Sequence, residues 1–170
     1  RDLGRYGDGM FDAVLAFGPF YHLTDEAERT AAASELARVT ARGGRVFVAF
    51  LPYLSGVSGL ITRAAFAAQQ VPAATFTEVA DTGVFHNAAT SGFQEGWFAQ
   101  PDAVDKLLTD VGFNVDRIVS LRSITYALEK DMAKLDAASA EAVWQTAADL
   151  AEHPAVVATS GHAVAVATRR

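Results

Sequence analysis

Apolar positions along the chain gather into short continuous runs separated by stretches of helical spacing, and that alternation sets the expected architecture. Residues 11–17 read Phe-Asp-Ala-Val-Leu-Ala-Phe and are closed by Gly18-Pro19, a pattern that predicts a strand buried on both faces, as in a parallel sheet. Thr24 stands where it can cap the helix that follows, with Asp25 and Glu26 against the positive helix end. Ala32, Leu36 and Val39 then recur on one helical face. Gly43-Gly44 is the expected stop. Residues 45–51 form a second apolar run, rich in β-branched and aromatic side chains and ended by Pro52. Strand, helix and strand in this order predict a parallel crossover.

The character changes over residues 52–100, where glycine, serine, threonine and alanine are scattered. A helix over 58–70 is expected there, no strand period is sustained, and the segment reads as a cap inserted into the domain. Pro101 then occupies a first helical position, with Val104, Leu107, Leu108 and Val111 at helical spacing and Gly112 at the end. Residues 114–121 are a strand candidate. A polar, alanine-rich segment follows, with Val143, Trp144, Ala147, Leu150 and Ala151 on one face, Trp144 expected in the core, and His153-Pro154 as its stop. Residues 162–168 supply a last strand. No repeat, low-complexity tract or linker divides the chain, so residues 1–170 are read as one α/β domain with the cap inside it.

Size and charge narrow the function classes. The 170 residues are 51% hydrophobic and 20% charged, enough for one sizeable core. The net charge is −6 with no block of lysine or arginine, so the chain lacks the footprint of a phosphate-backbone binder and no nucleic-acid partner is expected. The absence of cysteine removes disulfides, thiolate nucleophiles and thiolate metal ligands together. No export-signal pattern and no run of about 18 apolar residues is present, so a cytoplasmic location without membrane attachment is expected.

The string Phe11-Asp12-Ala13-Val14-Leu15-Ala16-Phe17-Gly18-Pro19-Phe20-Tyr21-His22-Leu23 closely resembles the fourth strand and following loop of class I S-adenosylmethionine-dependent methyltransferases. Glu35-Leu36-Ala37-Arg38-Val39 and Gly43-Gly44-Arg45-Val46-Phe47 resemble the next helix, glycine turn and fifth strand of that family. Gly112-Phe113 with its strand, and Ser160-Gly161-His162-Ala163-Val164-Ala165-Val166-Ala167, resemble its final antiparallel pair. The resemblance implies a Rossmann-like methyltransferase sheet represented by strands four to seven, the last antiparallel, with a cap insertion. The family's glycine-rich turn and the acid closing its second strand have no counterpart here, and no G-x-G-x-x-G occurs. Two readings stay open: part of a longer enzyme, or a fragment with another task. An open parallel edge at residues 11–17 would favour the first.

The resemblance also implies site residues. It sets the donor, S-adenosylmethionine, against Phe17, Gly18 and Pro19, with Asp2 near the adenine. Tyr21 and His22 become candidates to orient or deprotonate an acceptor, since an imidazole with a pKa near about 6.5 can act as a base at neutral pH. On residues alone, His22 as a helix cap and Tyr21 as core fit better, and it is the resemblance that brings the functional role level with them. In the cap, Phe85, His86, Trp97 and Phe98 combine aromatic surface with polar groups, as small-molecule pockets do; packing of Trp97 and Phe98 onto the sheet and exposure of His86 are the alternatives. The implied activity is methyl transfer to a small molecule. The competing reading is a catalytically inactive methyltransferase-like module that binds a ligand or forms a homodimer.

Other constellations carry little. The four histidines form no i, i+4 pair or H-E-x-x-H, so no metal is expected. Gly56-Val57-Ser58-Gly59 lacks the final glycine of a nucleophile elbow because Leu60 stands there, which leaves Ser58 as a helix cap. His162 reads as a structural histidine.

Overall fold

The computed structural model describes residues 2–66, 71–86, 95–125 and 128–170. Its centre is one long strand. β1 (Phe11–Ala16) leads through a 3₁₀ turn (Phe20–His22) to α1 (Glu26–Val39) and then directly to β2 (Thr40–Pro52). α2 (Tyr53–Phe66), α3 (Ala73–Thr82), β3 (Val84–His86) and β4 (Glu95–Ala99) come next, followed by α4 (Pro101–Asp110) and β5 (Phe113–Ser120). A second 3₁₀ turn (Ser123–Thr125), α5 (Glu129–Met132), α6 (Ala137–Asp149) and α7 (Pro154–Thr159) precede β6 (Ala163–Arg169).

The six strands form one mixed sheet. β1 runs parallel to the first part of β2, from Phe11 opposite Thr40 to Ala16 opposite Val48. β4 pairs parallel with the end of β2, at Leu51 and Pro52, and β3 pairs antiparallel with β4. The other side of β2 is taken by β6, antiparallel, which in turn carries β5 antiparallel. Register explains the core. Val46, Val48 and Phe50 face Ala167, Ala165 and Ala163 across the β2–β6 pair, so large residues on one strand sit beside small ones on the next. Leu36 and Ala37 of α1 and Val104 and Leu108 of α4 join this cluster, all buried. The opposite face carries a smaller cluster of Ala49, Val164 and Val166 with Phe47 packed against it.

The expectation of a first strand buried on both faces is corrected. Val14 and Ala16 face the core, but Leu15 is 65% exposed and Phe17, just past the strand, 58%, because among the described residues only one face of β1 is covered and its outer edge has no strand partner. The helix signals also shift. Asp25 rather than Thr24 caps α1, its carboxylate accepting from the Ala27 and Glu28 amides. The helix ends at Val39, before the glycines, where the Thr40 hydroxyl donates to the Leu36 carbonyl. Gly43-Gly44 instead forms an irregularity within β2 opposite Asp12. Gly43 has φ +76°, and a Cβ on Gly44 would lie 3.0 Å from the Asp12 carbonyl oxygen.

Two later expectations change as well. Trp144 is 49% exposed, since α6 lies at the periphery, packs mainly on the second 3₁₀ turn and buries Ala147. His153 does not stop that helix but begins the next, its Nδ1 accepting from the Ala155 amide at 3.2 Å. Ser58 lies inside α2 and caps nothing.

The segment before β1 is tied down by a polar cluster on α1. Glu35 accepts from the Leu3 amide at 3.0 Å and from Arg38, whose guanidinium also donates to the Leu3 and Tyr6 carbonyls and to Asp8. The Arg38 guanidinium, with the Leu3 amide, holds the Glu35 carboxyl down at about 2.

Phe50→Ala, at the middle of the core, is expected to destabilise the fold by about 3–5 kcal/mol, whereas Leu15→Ala on the bare face changes stability by no more than about 0.5 kcal/mol. Urea denaturation of both variants checks this; equal losses would contradict the assignment of the bare face.

Candidate functional site

The loop after β1 is shaped by four neighbouring residues with different tasks. Gly18 has φ +128°, a conformation that L side chains rarely adopt, and a Cβ there would meet the Tyr21 hydroxyl at 3.4 Å. Pro19, with φ −59°, opens the 3₁₀ turn, whose residues i and i+3 share one side. Phe20 and Leu23 therefore both point inward and are buried, while Tyr21 is half-buried and His22 exposed. The end of the loop is held by Arg29, which is buried on α1, donates to the carbonyls of Leu23 and Thr24 at 2.8 Å each, and lies 4.3 Å from the centre of the Trp97 ring.

Tyr21 and His22 form one wall of a cleft of about 440 Å³. Leu51 from the end of β2, Phe98 of β4, and Ser55, Gly56, Gly59 and Arg63 on one face of α2 supply further walls, closed by Arg122, Gly161 and His162. The position follows from the topology. β1 and β2 are parallel and end at this rim, and β6 is antiparallel to β2, so its beginning lies at the same rim. Ligands of open α/β sheets bind at this end.

Within the cleft the Tyr21 ring meets His162 edge-on, with centroids 5.8 Å apart, and lies 4.7 Å from the His22 ring. Burial, and then the nearby positive charge of Arg122, push the His162 imidazole below its ordinary value of 6.5, which favours the neutral ring at neutral pH. No described residue hydrogen-bonds its ring nitrogens; the Leu121 amide and the Ser160 hydroxyl donate instead to its backbone carbonyl.

The sequence-derived candidates separate into groups. Tyr21, His22 and Phe98 come together in the cleft. Phe85 and Trp97 are buried away from it: Phe85 stacks on Phe98 at 5.9 Å, and Trp97 belongs to the main core under Arg29. His86 is exposed and lies 2.7 Å from the Glu78 carboxylate. Phe17 and Pro19 are exposed, and Pro19 borders a second, apolar hollow of about 170 Å³ with Leu3, Val14, Leu15, Ala16, Phe20, Ala32, Glu35 and Leu36. Asp2, next to Leu3, is exposed and accepts from the Gly4 amide at 2.6 Å.

Sequence reasoning missed Ser55, Arg63, Arg122 and His162. The i, i+4, i+8 spacing of Ser55, Gly59 and Arg63 was the one available signal, placing them on one helix stripe. Among the described residues no group of three His, Asp or Glu is arranged to hold a metal, and no helix is long and apolar enough to cross a membrane.

No family model matches the sequence, and no curated protein matches it. Solved structures do match. An S-adenosylmethionine-dependent methyltransferase from Methanosarcina mazei aligns with 99% of this chain and 63% of its own, at a TM-score of 0.54 and 16% identity. One from Archaeoglobus fulgidus aligns with 97% of this chain and 62% of its own, at 0.50 and 12% identity. A candidate methyltransferase from Haloferax volcanii, in complex with the Trm112 methyltransferase activator, aligns with 99% of this chain and 57% of its own, at 0.52 and 17% identity. The chain therefore has the Rossmann-like fold of class I S-adenosylmethionine-dependent methyltransferases, and it spans about six-tenths of the length of the structures it matches.

Two predictions test the cleft. A Cβ on Gly56 would clash with the Phe98 ring, whereas one on Gly59 meets nothing within 4 Å. Gly56→Ala is expected to destabilise the fold by roughly 1–3 kcal/mol through overpacking, and Gly59→Ala to stabilise α2 by up to about 1 kcal/mol; thermal unfolding of the two proteins discriminates. The NMR titration midpoint of His162 should lie below 6.5, and Arg122→Gln should raise it toward that value because a positive neighbour disfavours the protonated ring. A midpoint that stays put in the variant would remove Arg122 as a cause.

Proposed function

We propose that the complete protein containing these residues transfers a methyl group from S-adenosylmethionine to a small-molecule acceptor. The observation that carries this reading is the coincidence, on a methyltransferase-type sheet, of the Gly18 loop with a partly enclosed cleft at the same rim. S-adenosylmethionine supplies the electrophilic methyl on its sulfonium.

The residues of the loop fit part of a donor site. Gly18 brings backbone close without a side chain in the way, Phe17 and Pro19 offer exposed apolar faces beside the hollow, and Asp2 sets a carboxylate one residue from the Leu3 that borders it. The backbone cradle of a glycine-rich turn is not among these residues, so the donor contacts proposed here cover one side only.

The acceptor occupies the cleft, with Phe98 as an apolar wall. Phe85 and Trp97 act on the acceptor only through the placement of Phe98, and His86 stands on the exposed hairpin. Methyl transfer needs in-line approach, exclusion of water and, for acceptors that carry a proton, a base. His22 and Tyr21 are proposed in that role, with the ring of His162 packed edge-on against Tyr21 and so orienting it.

One observation favours a second reading, a catalytically silent binding or dimerisation module. Met10, Leu15 and Phe17 expose apolar surface along the open β1 edge.

Calorimetric titration of S-adenosylhomocysteine into the complete reading frame separates the two. Micromolar affinity, weakened by about tenfold or more in Gly18→Val, is expected. A folded protein that binds no S-adenosylhomocysteine and sediments as a dimer would sink the methyl-transfer reading and support the second. With the acceptor in hand, His22→Ala is expected to slow transfer by roughly 10²-fold or more, and full activity in both His22→Ala and Tyr21→Phe would remove the proposed catalytic roles.

A further inference from the structure

Two arginines and two histidines line the cleft of an otherwise acidic chain. The protein carries 20 acidic and 14 basic side chains, yet Arg63, Arg122, His22 and His162 line the cleft, and no carboxylate occurs among the described residues that line it. These four come from separate places in the fold: the loop after β1, the last turn of α2, the end of β5 and the entry to β6. An arginine near a helix C-terminus is favourable wherever it points, which accounts for Arg63 on α2. It does not account for convergence with Arg122, whose charge is close enough to disfavour protonation of His162.

Geometry leaves room for a ligand at this cluster. Ser55, Gly59 and Arg63 lie one turn apart on a single stripe of α2, and a Cβ on Gly59 would touch nothing within 4 Å, so the space in front of the helix beside Arg63 is open. Leu51 and Phe98 make the apolar part of the wall. A site with an apolar wall and two arginines is complementary to a small organic anion, because guanidinium groups pair with carboxylate and phosphate oxygens through two parallel hydrogen bonds. In a recess partly screened from water that attraction also exceeds its value at an open surface.

We infer that the cleft selects a small molecule bearing a carboxylate or phosphate, held by Arg63 and Arg122 with its apolar body against Leu51 and Phe98. That this anion is the methyl acceptor rests on the function proposed above; that the cleft binds anions does not. The acceptor would then be recognised at a charged group remote from the atom that receives the methyl, which sets orientation through a fixed anchor.

The experiment titrates the folded chain with benzoate, phenyl phosphate, benzyl alcohol and benzylammonium, following the imidazole NMR signals of His22 and His162. Benzoate and phenyl phosphate are expected to shift both histidines, benzyl alcohol weakly and benzylammonium not at all. Arg63→Gln should weaken anion binding by about tenfold or more, with Arg63→Lys retaining part of it; circular dichroism of each variant verifies folding. The stronger of the two anions identifies the preferred group. An equal response to benzyl alcohol or benzylammonium would overturn the inference, as would anion binding unchanged in both Arg63→Gln and Arg122→Gln. Titration of the same variants with S-adenosylhomocysteine separates the two readings. If benzoate competes with it and Arg63→Gln weakens both equally, the arginines hold the donor's own carboxylate, and this inference fails while methyl transfer stands. If the anions bind and S-adenosylhomocysteine does not, methyl transfer fails and the anion site stands.

Discussion

Pairing along β2 is the constraint on which the remaining structure depends. Thirteen residues, Thr40–Pro52, give register to β1 and β4 on one side and β6 on the other, and β3 and β5 reach the sheet only through β4 and β6. A strand buried this deeply must have its amides and carbonyls paired on both sides. That requirement, together with the large-against-small fit of Val46, Val48 and Phe50 to Ala167, Ala165 and Ala163, disfavours a one-residue slip, which would turn the core-facing side chains to the other face. The bulge at Gly43-Gly44 confines the mismatch between β1 and β2 to one end, away from the rim where the loops gather.

The chemistry at the rim is inherited from that arrangement. Because β1 and β2 end where β6 begins, a loop after one strand, a helix after another and the entry to a third converge on one volume. None of these segments is notable alone. Tyr21 and His22 face the cleft because Phe20 and Leu23 are drawn inward by the core, and Arg29 holds the far end of the loop by its two carbonyl bonds. The position of Phe98 depends in turn on Gly56, which lets α2 approach the ring closely enough to close the cleft on that side.

Much of this was legible in the sequence, and the exceptions have physical causes. Continuous apolar runs marked β1 and β2, Pro101 and Gly112 bracketed α4, and strands were expected over 114–121 and 162–168; at β2, α4 and the final strand pair local pattern and tertiary burial agree. They disagree at β1, where an apolar run implies cover on two faces and the described residues cover one. They disagree at Gly43-Gly44, where a glycine pair reads as a helix stop but serves a bulge. The hairpin of β3 and β4 escaped notice because three- and five-residue strands are too short for a period to register. Trp144 was misplaced for the converse reason: helical periodicity tells which residues share a face, not whether anything packs on it. The basic side of the cleft was unreadable since Arg63, Arg122 and His162 are brought together only by tertiary contact, and a lone histidine at the start of a buried strand carries no sign that the strand begins at a rim.

The order of strands along the polypeptide also has a consequence for biosynthesis. β2 and its antiparallel neighbour β6 are separated by about 120 residues at Arg45 and Thr168, so a ribosome releases the central strand well before the segment that covers its second edge. Throughout that interval Val46, Val48 and Phe50 are available to any extended chain nearby, and closure of so long a loop is slow. Translation therefore passes through a half-sheet, in which β1 and α1 can dock on β2 early while its other edge stays unpaired until β6 emerges.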